Sequence, residues 1–351
     1  MDTNLPQADR RKRVTIKDVA RAAGVSTQTV SRVVNHLPSV SPKTRRNVEL
    51  VVERLGYRPS TLARSLIQQR SYVLGTAVYD LNYIGSSRTL NGIAEGVDEL
   101  GYMLLMKEIE DFRTGDVDKV IDSLLAYQVD GILWAIPEIG NNHAWIYDHI
   151  KNIPVPVLFI AMSPHEGVSS IATDNFQGAV AAIRHLLNCG RRRIGHISGP
   201  KGWWEADERR RGWCEALQAV GLEALDQHCV EGDWSPVSGK EAFSQLFEKF
   251  PDMDAVFVAN DQMALSVLSE ASRLSINIPE QLSVIGFDGI PESAYFYPPL
   301  TTIYQDFQTL GGQAVQCMVE MIHARQENRS VIPQSGLIQP TLIVRESSAL
   351  I

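Results

Sequence analysis

The sequence predicts an α/β protein in two parts, a small all-α helix-turn-helix domain followed by a larger two-lobed body whose parallel sheets are flanked by helices. Three observations predict it. At 351 residues the chain exceeds the usual size of a single hydrophobic core. Its charge is divided, since residues 1–70 hold 14 Lys or Arg against 5 Asp or Glu, a balance of +9, whereas the rest holds 19 against 36, or −17. The apolar pattern also changes near Tyr72, from helical spacing to short strand-like runs that alternate with helical segments. A basic head on an acidic body suits a module that meets a polyanion and a body that does not.

The elements follow in order. Residues 1–13, with Arg10 to Arg13, read as a basic arm. Within residues 14–59, Thr15 precedes Ile16, Val19, Ala20 and Ala23 at the i, i+3, i+4, i+7 spacing of a helix, and Asp18 completes a capping-box pattern. Gly24 ends that helix, and Ser26 caps a second whose buried side carries Val30, Val33 and Val34. Thr27, Gln28, Ser31, Arg32 and Asn35 are left on its outer face. Ser41 and Pro42 start a third helix, with Val48, Val51, Val52 and Leu55 as its stripe and Gly56 as its stop. Residues 60–70, including Ser60, Ala63, Arg64 and Leu66, form a short amphipathic stretch, too brief for a stable isolated helix, and read as a hinge.

From Tyr72 onward, strand runs are expected at Val73 to Tyr79, Met103 to Met106, Gly131 to Ile136 and Val155 to Ile160, then at Ile194 to Ser198, Ala255 to Ala259 and Leu282 to Phe287. Val129-Asp130-Gly131-Ile132-Leu133 and Met253-Asp254-Ala255-Val256-Phe257 enter their strands alike, which points to a duplicated lobe. The division expected is 71–161 with 291–328 for the first lobe and 162–290 with 329–351 for the second. Ligands of open α/β sheets sit beyond the carboxyl ends of the strands, so two facing lobes imply a cleft.

Composition narrows the function. Cys189, Cys214, Cys229 and Cys317 are scattered, without a C-x-x-C pair or a histidine at metal-ligand spacing, and read as reduced packing residues. No metal or cofactor is expected. The polar, basic start lacks a signal-peptide core, no run approaches the length of a membrane span, and the cytoplasm is the expected compartment. G-x-S-x-G, H-E-x-x-H and phosphate-loop patterns are missing, and Gly199-Pro200-Lys201-Gly202 has the wrong spacing for the last, so no enzyme is expected. His185 and His196 read as structural.

The segments Val14 to Ala20 and Gly24 to Asn35, continued by Val40-Ser41, Thr44-Arg45, Leu55-Gly56-Tyr57, Pro59, Ala63-Arg64 and Leu66, closely resemble the lactose-repressor/galactose-repressor family of transcription regulators. The resemblance extends through Glu231 to Ser235, Asn260 to Leu265, Gly286-Phe287-Asp288 and Pro299 to Phe307, where it is closest to lactose-repressor-like members. It implies a periplasmic-binding-protein-like body, a homodimer on palindromic double-stranded operator DNA and a small sugar effector. In such a protein the second helix enters the major groove, where Gln28 can read adenine and Arg32 can fork onto guanine, with Thr27 beside them. Lys17, Arg21, Ser26, Ser31, Asn35 and Ser41 would meet the backbone. The hinge, capped by Ser60 and containing Ala63, would fold on the operator and insert Leu66 into the minor groove.

For the effector, the resemblance assigns Arg209, Asn260 and Asp288 to sugar hydroxyls, Trp234 and Phe307 to the sugar ring, and Gln305 to the cleft edge. A sugar offers both apolar C–H faces and hydroxyls, so aromatic planes combined with charged or amide groups suit it. Tyr83, Gln177 and Glu205 replace an aliphatic residue, an aspartate and a serine of the lactose repressors. A galactoside-like inducer is therefore the expectation, with a co-repressor, or a two-lobed sugar-binding protein without a DNA role, as alternatives. No apolar heptad tail follows Arg345, so a tetramer would need another surface.

Overall fold

The computed structural model describes residues 14–34, 38–57, 70–109, 117–140, 142–330 and 333–348. It divides into two compact units, Met1–Ser71 and Tyr72–Ile351.

In the first unit, α1 (Ile16–Ala23), α2 (Thr27–Val34) and α3 (Pro42–Leu55) enclose Val19, Ala20, Ala23, Val30, Val33, Val48 and Val51. Every expected boundary has a local cause. The Asp18 carboxylate receives both the N–H (3.0 Å) and the hydroxyl (2.7 Å) of Thr15 at the start of α1. Ser26 Oγ and Ser41 Oγ accept from the N–H groups of Thr29 (3.0 Å) and Thr44 (3.3 Å), which caps α2 and α3. Gly24 and Gly56 end α1 and α3 at φ +68° and +61°, where a side chain would be strained. Asn47 Nδ2 donates to the Ala23 carbonyl (2.9 Å), tying α3 to the end of α1.

The second unit contains two six-stranded sheets. The first has the order β11-β5-β4-β3-β1-β2, where β1 is Val73–Tyr79, β2 Met103–Ile109, β3 Gly131–Ala135, β4 Val157–Ile160, β5 Ser170–Thr173 and β11 Ser335–Ile338. The second has the order β12-β10-β9-β8-β6-β7, where β6 is Ile194–Ser198, β7 Cys229–Glu231, β8 Ala255–Val258, β9 Ser283–Asp288, β10 Thr301–Tyr304 and β12 Thr341–Ile343. All neighbours are parallel except β10 and β12. Both sheets carry helices over apolar layers on each face, which is why β1, β3, β6, β8 and β9 are nearly continuous apolar runs.

The duplication extends to single hydrogen bonds. Asp130, just before β3, accepts from the N–H of Tyr72 at the foot of β1 (2.9 Å). Asp254, just before β8, accepts from the N–H groups of Arg192 (3.1 Å) and Arg193 (3.0 Å) at the foot of β6.

The lobe boundaries need correction. Ser170–Thr173 and Ser335–Ile338 pair with each other in the first sheet, whereas Thr301–Tyr304 pairs with Ser283–Asp288 in the second. The chain therefore passes between lobes after Thr173, after Tyr304 and after Ile338. These strands are short and rich in hydroxyl residues, so apolar periodicity does not mark them. Thr301 and Thr302 are fully buried because Thr301 Oγ1 donates to the Arg345 carbonyl (2.9 Å) and Thr302 Oγ1 to Asp261 (2.6 Å).

Candidate functional site

In the first unit, the helix-turn-helix leaves Lys17, Arg21, Thr27, Gln28 and Arg32 exposed, while Ser31 is partly buried. Arg21 lies 3.6 Å from Asp18 on the surface. Ser26 and Ser41 are exposed, but their hydroxyls already cap α2 and α3 and pair with Thr29 Oγ1 and Thr44 Oγ1 (both 2.9 Å). What these two positions present to an anion is mainly a helix N-terminus. Asn35, Ser60, Ala63 and Leu66, with most of the expected hinge, lie outside the described residues.

In the second unit, a cavity with about 760 Å³ of empty space, its open mouth included, lies at the carboxyl ends of both sheets. Tyr83 to Ser86 reach it after β1, Pro137 after β3, Ala161 after β4 and Thr173 at the end of β5. From the other lobe come Trp203, Glu205 and Arg209 after β6, Trp234 after β7, Asn260 and Gln262 after β8, and Asp288 at the end of β9. Gln305 and Phe307 arrive on the crossover after β10. Nearly every strand end contributes, as the expected order at a topological switch point requires.

Arg209 organises the floor. It is only 3% exposed; its Nε donates to Asn175 Oδ1 (2.8 Å), its Nη1 to the Ala259 carbonyl (2.5 Å), and Nη1 lies 3.7 Å from Asp288 Oδ1. The guanidinium stacks 3.9 Å from the Phe287 ring and 5.3 Å from Trp234. Asp288 also accepts from Gln305 Nε2 (2.8 Å). Burial raises the Asp288 carboxyl and Arg209 opposes the rise. Burial likewise raises Glu205, against Arg209. Behind them Asp261, buried beside Asp288, is raised to about 8, mainly by desolvation, although it accepts from Thr302 and the Ile290 N–H.

An aromatic wall completes the site. Tyr83 stacks on Tyr79 (6.1 Å between centroids, 11° between planes) and meets the edge of Trp203 (5.5 Å), which in turn meets Trp234 (5.9 Å). Trp234 adopts φ +73° and lies against Gly199, where any Cβ would collide with its ring. Its indole Nε1 is buried and makes no hydrogen bond. Asn260 is more structural than expected. Its Oδ1 caps the helix Asp261–Arg273 through Met263 N–H, and its Nδ2 donates to the Trp234 carbonyl (both 2.9 Å).

The structure brings together all the expected effector residues except Gln177. That residue is exposed in the first turn of the helix Asn175–Asn188, where its N–H donates to Asp174 Oδ1, and it does not line the cavity. The helix starts at Asp174, so position 175 faces inward and position 177 outward; Asn175, which grips Arg209, is the residue missed. Trp203 was also missed, although it follows the glycine-rich turn at Gly199 and Gly202. Cys189 is exposed and is not a packing residue, and His185, four positions before it, brings Nε2 to 3.7 Å from its Sγ, so the expectation that no histidine stands at metal-ligand spacing is corrected as well. His196 is fully buried, with Nδ1 2.9 Å from the Phe257 carbonyl.

A three-helix module with an exposed reading helix, joined in one chain to a two-lobed body with a cleft for a polar small molecule, defines a ligand-responsive DNA-binding regulator. Residues 15–60 match bacterial regulatory proteins of the lacI family, and residues 183–348 match a periplasmic binding protein-like domain. The chain is 32% identical to catabolite control protein A of Priestia megaterium over 91% of its own length and 96% of the relative's. It is also 32% identical to the lactose operon repressor of Escherichia coli (strain K12), over 88% and 85%. A solved structure of the lac repressor dimer bound to operator and the anti-inducer ONPF superposes with a TM-score of 0.87 at 30% identity, covering 97% of this chain and all of that one. A complex of the transcriptional regulator CelR with cellobiose gives 0.70 at 27% identity, covering 95% and 100%. The chain belongs to the lacI family of bacterial regulatory proteins and is a sequence-specific DNA-binding repressor under ligand control.

Proposed function

We propose that this chain represses a sugar-utilisation operon in the cytoplasm, binding a palindromic operator as a homodimer and releasing it when a galactoside-like inducer occupies the cleft. The observation that carries the sugar reading is the meeting of the charged pair Arg209 and Asp288 with the aromatic rings of Trp234 and Phe307 in the lining of one cavity. The buried, unpaired Trp234 Nε1 offers a donor for a ligand oxygen. The relatives with solved ligands, the lac repressor with ONPF and CelR with cellobiose, support it. The body binds and does not turn over its ligand, because ground-state binding is enough to bias its lobes.

On the DNA side, exposed Gln28 and Arg32 read bases while Lys17 and Arg21 neutralise phosphates. A single reading helix covers one half-site, so a twofold pair reads the palindrome. Binding-site selection on random duplexes at fixed salt, with and without a panel of pyranosides, tests both halves. The expected result is one palindromic motif whose retention falls with one class of galactoside. Retention that rises instead identifies a co-repressor, and no preferred duplex under any condition overturns the DNA reading. Calorimetry without heat for any pyranoside overturns the sugar reading.

A further inference from the structure

We propose that Glu138, His143 and His165 form a binding site for one divalent transition-metal ion of the zinc class, which fastens the loop that bridges the two lobes. Glu138 and His143 follow β3, and His165 follows β4, so two loops of the first lobe converge on one point. Glu138 Oε1 lies 3.3 Å from His143 Nδ1, and Oε2 lies 3.3 Å from His165 Nε2. One donor atom from each residue falls within 4.8 Å of the others. Two ligands on a tetrahedral zinc with arms of about 2.1 Å stand roughly 3.4 Å apart. Each imidazole already stands at about that separation from one oxygen of the carboxylate, so an ion is reached either with both oxygens bound or after a small turn of the carboxylate that presents one oxygen to both rings.

The donor chemistry and the surroundings agree with such an ion. Two imidazoles and one carboxylate suit zinc, copper or nickel, and poorly suit magnesium or calcium, which want oxygen ligands. His143 Nδ1 is buried yet makes no hydrogen bond, leaving an imidazole nitrogen facing the carboxylate. The Ser163 N–H (3.0 Å) and hydroxyl (2.6 Å) orient Glu138 Oε2, as outer partners orient metal-bound carboxylates. The three side chains are 12–21% exposed, which leaves an entry path.

The position gives the ion a consequence. The Glu138 carbonyl accepts from Trp204 N–H (3.0 Å), Gly140 N–H donates to the Gly202 carbonyl (2.7 Å), and Ile139 bridges Trp203. This is a short antiparallel clasp between the loop after β3 and the loop after β6, and Trp203 within it lines the cavity. An ion held by Glu138 and His143 pins the first-lobe half of the clasp.

The test uses the untagged full chain carrying Cys189→Ser, because exposed Cys189 lies 3.7 Å from His185 and offers a competing site. Cobalt(II) is titrated while visible ligand-field bands are recorded, then displaced by zinc. One equivalent of cobalt with bands of a low-coordinate ion is expected, zinc should displace it, and zinc should raise the melting temperature. His143→Gln and His165→Gln, each checked for fold by circular dichroism, should weaken zinc binding at least about tenfold. If the Cys189→Ser chain gives no such bands, or if its folded His143→Gln and His165→Gln variants bind zinc as it does, the cluster is only a hydrogen-bonded fastening of the loop and the proposal fails.

Discussion

Replacing Arg209 by Met removes the charge on which the cavity floor is built, and the cost can be worked from the geometry. Arg209 Nη1 and Asp288 Oδ1 stand 3.7 Å apart, with the residues 3% and 7% exposed. At an effective dielectric of about 20 the pair attracts by about 4.5 kcal/mol, a gain offset largely by desolvation of both ions. Breaking the pair leaves Asp288 buried without its cation and strips donors from Asn175 Oδ1 and the Ala259 carbonyl, so R209M should lose about 3 to 5 kcal/mol. D288N should lose less, because the guanidinium retains Asn175, Ala259 and the facing Glu205. The double variant should then show a coupling of about 1 to 3 kcal/mol in a four-protein urea-melt cycle read by tryptophan fluorescence.

The pH dependence supplies a second arm of the same experiment. Burial holds the Asp288 carboxyl above its ordinary value, and removing Arg209 takes away the interaction that opposes that rise. A carboxyl raised in the folded state favours folding at low pH, and that contribution is lost as pH climbs from the unfolded value through the folded one. The deficit of R209M should accordingly be larger at pH 8 than at pH 5. A coupling below about 0.5 kcal/mol together with a deficit that ignores pH would refute the buried-pair account.

Three further outcomes are expected. Arg32→Ala should lower discrimination at one operator base by about 1 to 3 kcal/mol and leave effector calorimetry unchanged, and equal loss on all sequences would contradict direct readout. Gly199→Ala, which drives a methyl into the Trp234 ring, should weaken effector binding about tenfold or more in a fluorescence titration while operator binding without effector persists; unchanged affinity would remove Trp234 from the effector contact. His196, held near 3 by burial, contributes stability that is present above its ordinary value of 6.5 and is lost as pH falls toward 3, at up to about 1.4 kcal/mol per pH unit. His196→Phe should flatten that acid limb of the melting-temperature profile, and an equally steep limb would assign it to other groups.

How much was legible beforehand depended on whether a residue's role is local. The caps at Thr15, Ser26 and Ser41 and the stops at Gly24 and Gly56 act within one turn, so their spacing suffices to place the first unit's helices. Strands buried on both faces, such as Val73–Tyr79 and Ala255–Val258, announce themselves as apolar runs. Ser170–Thr173, Thr301–Tyr304 and Ser335–Ile338 do not, because their hydroxyls are satisfied by partners far along the chain, and the lobe boundaries slipped with them. Most cavity residues could be carried over from the family pattern because they sit at strand ends. Asn175 could not, since its value lies in a bond to Arg209 across 34 positions. His143 and His165 likewise come together only through the fold.

The placement of Gln305 explains why occupancy of this cavity can be felt elsewhere in the chain. Gln305 lies on the second of the crossovers, where its N–H donates to the Asp288 carbonyl (3.2 Å) and its side chain to the Asp288 carboxylate. Asp174 and Gln339, on the other two, are joined by a 2.9 Å hydrogen bond. A rotation of one lobe against the other must be absorbed at these segments, and the clasp at Gly140 and Gly202, a further link between the lobes, opposes it. Under the proposed function, a ligand that touches Tyr83 on one lobe and Arg209 and Asp288 on the other gains contacts only in a limited range of lobe angles. Its binding energy therefore biases that angle, and a coupling of about 1 to 3 kcal/mol to the operator corresponds to roughly 5- to 150-fold in affinity. Linkage makes the effect reciprocal: under the inducer reading, saturating operator must weaken the sugar by the factor by which saturating sugar weakens the operator. Unequal factors in the two titrations, at matched salt and pH, would show that the cleft and the reading helix are not joined by a single two-state element.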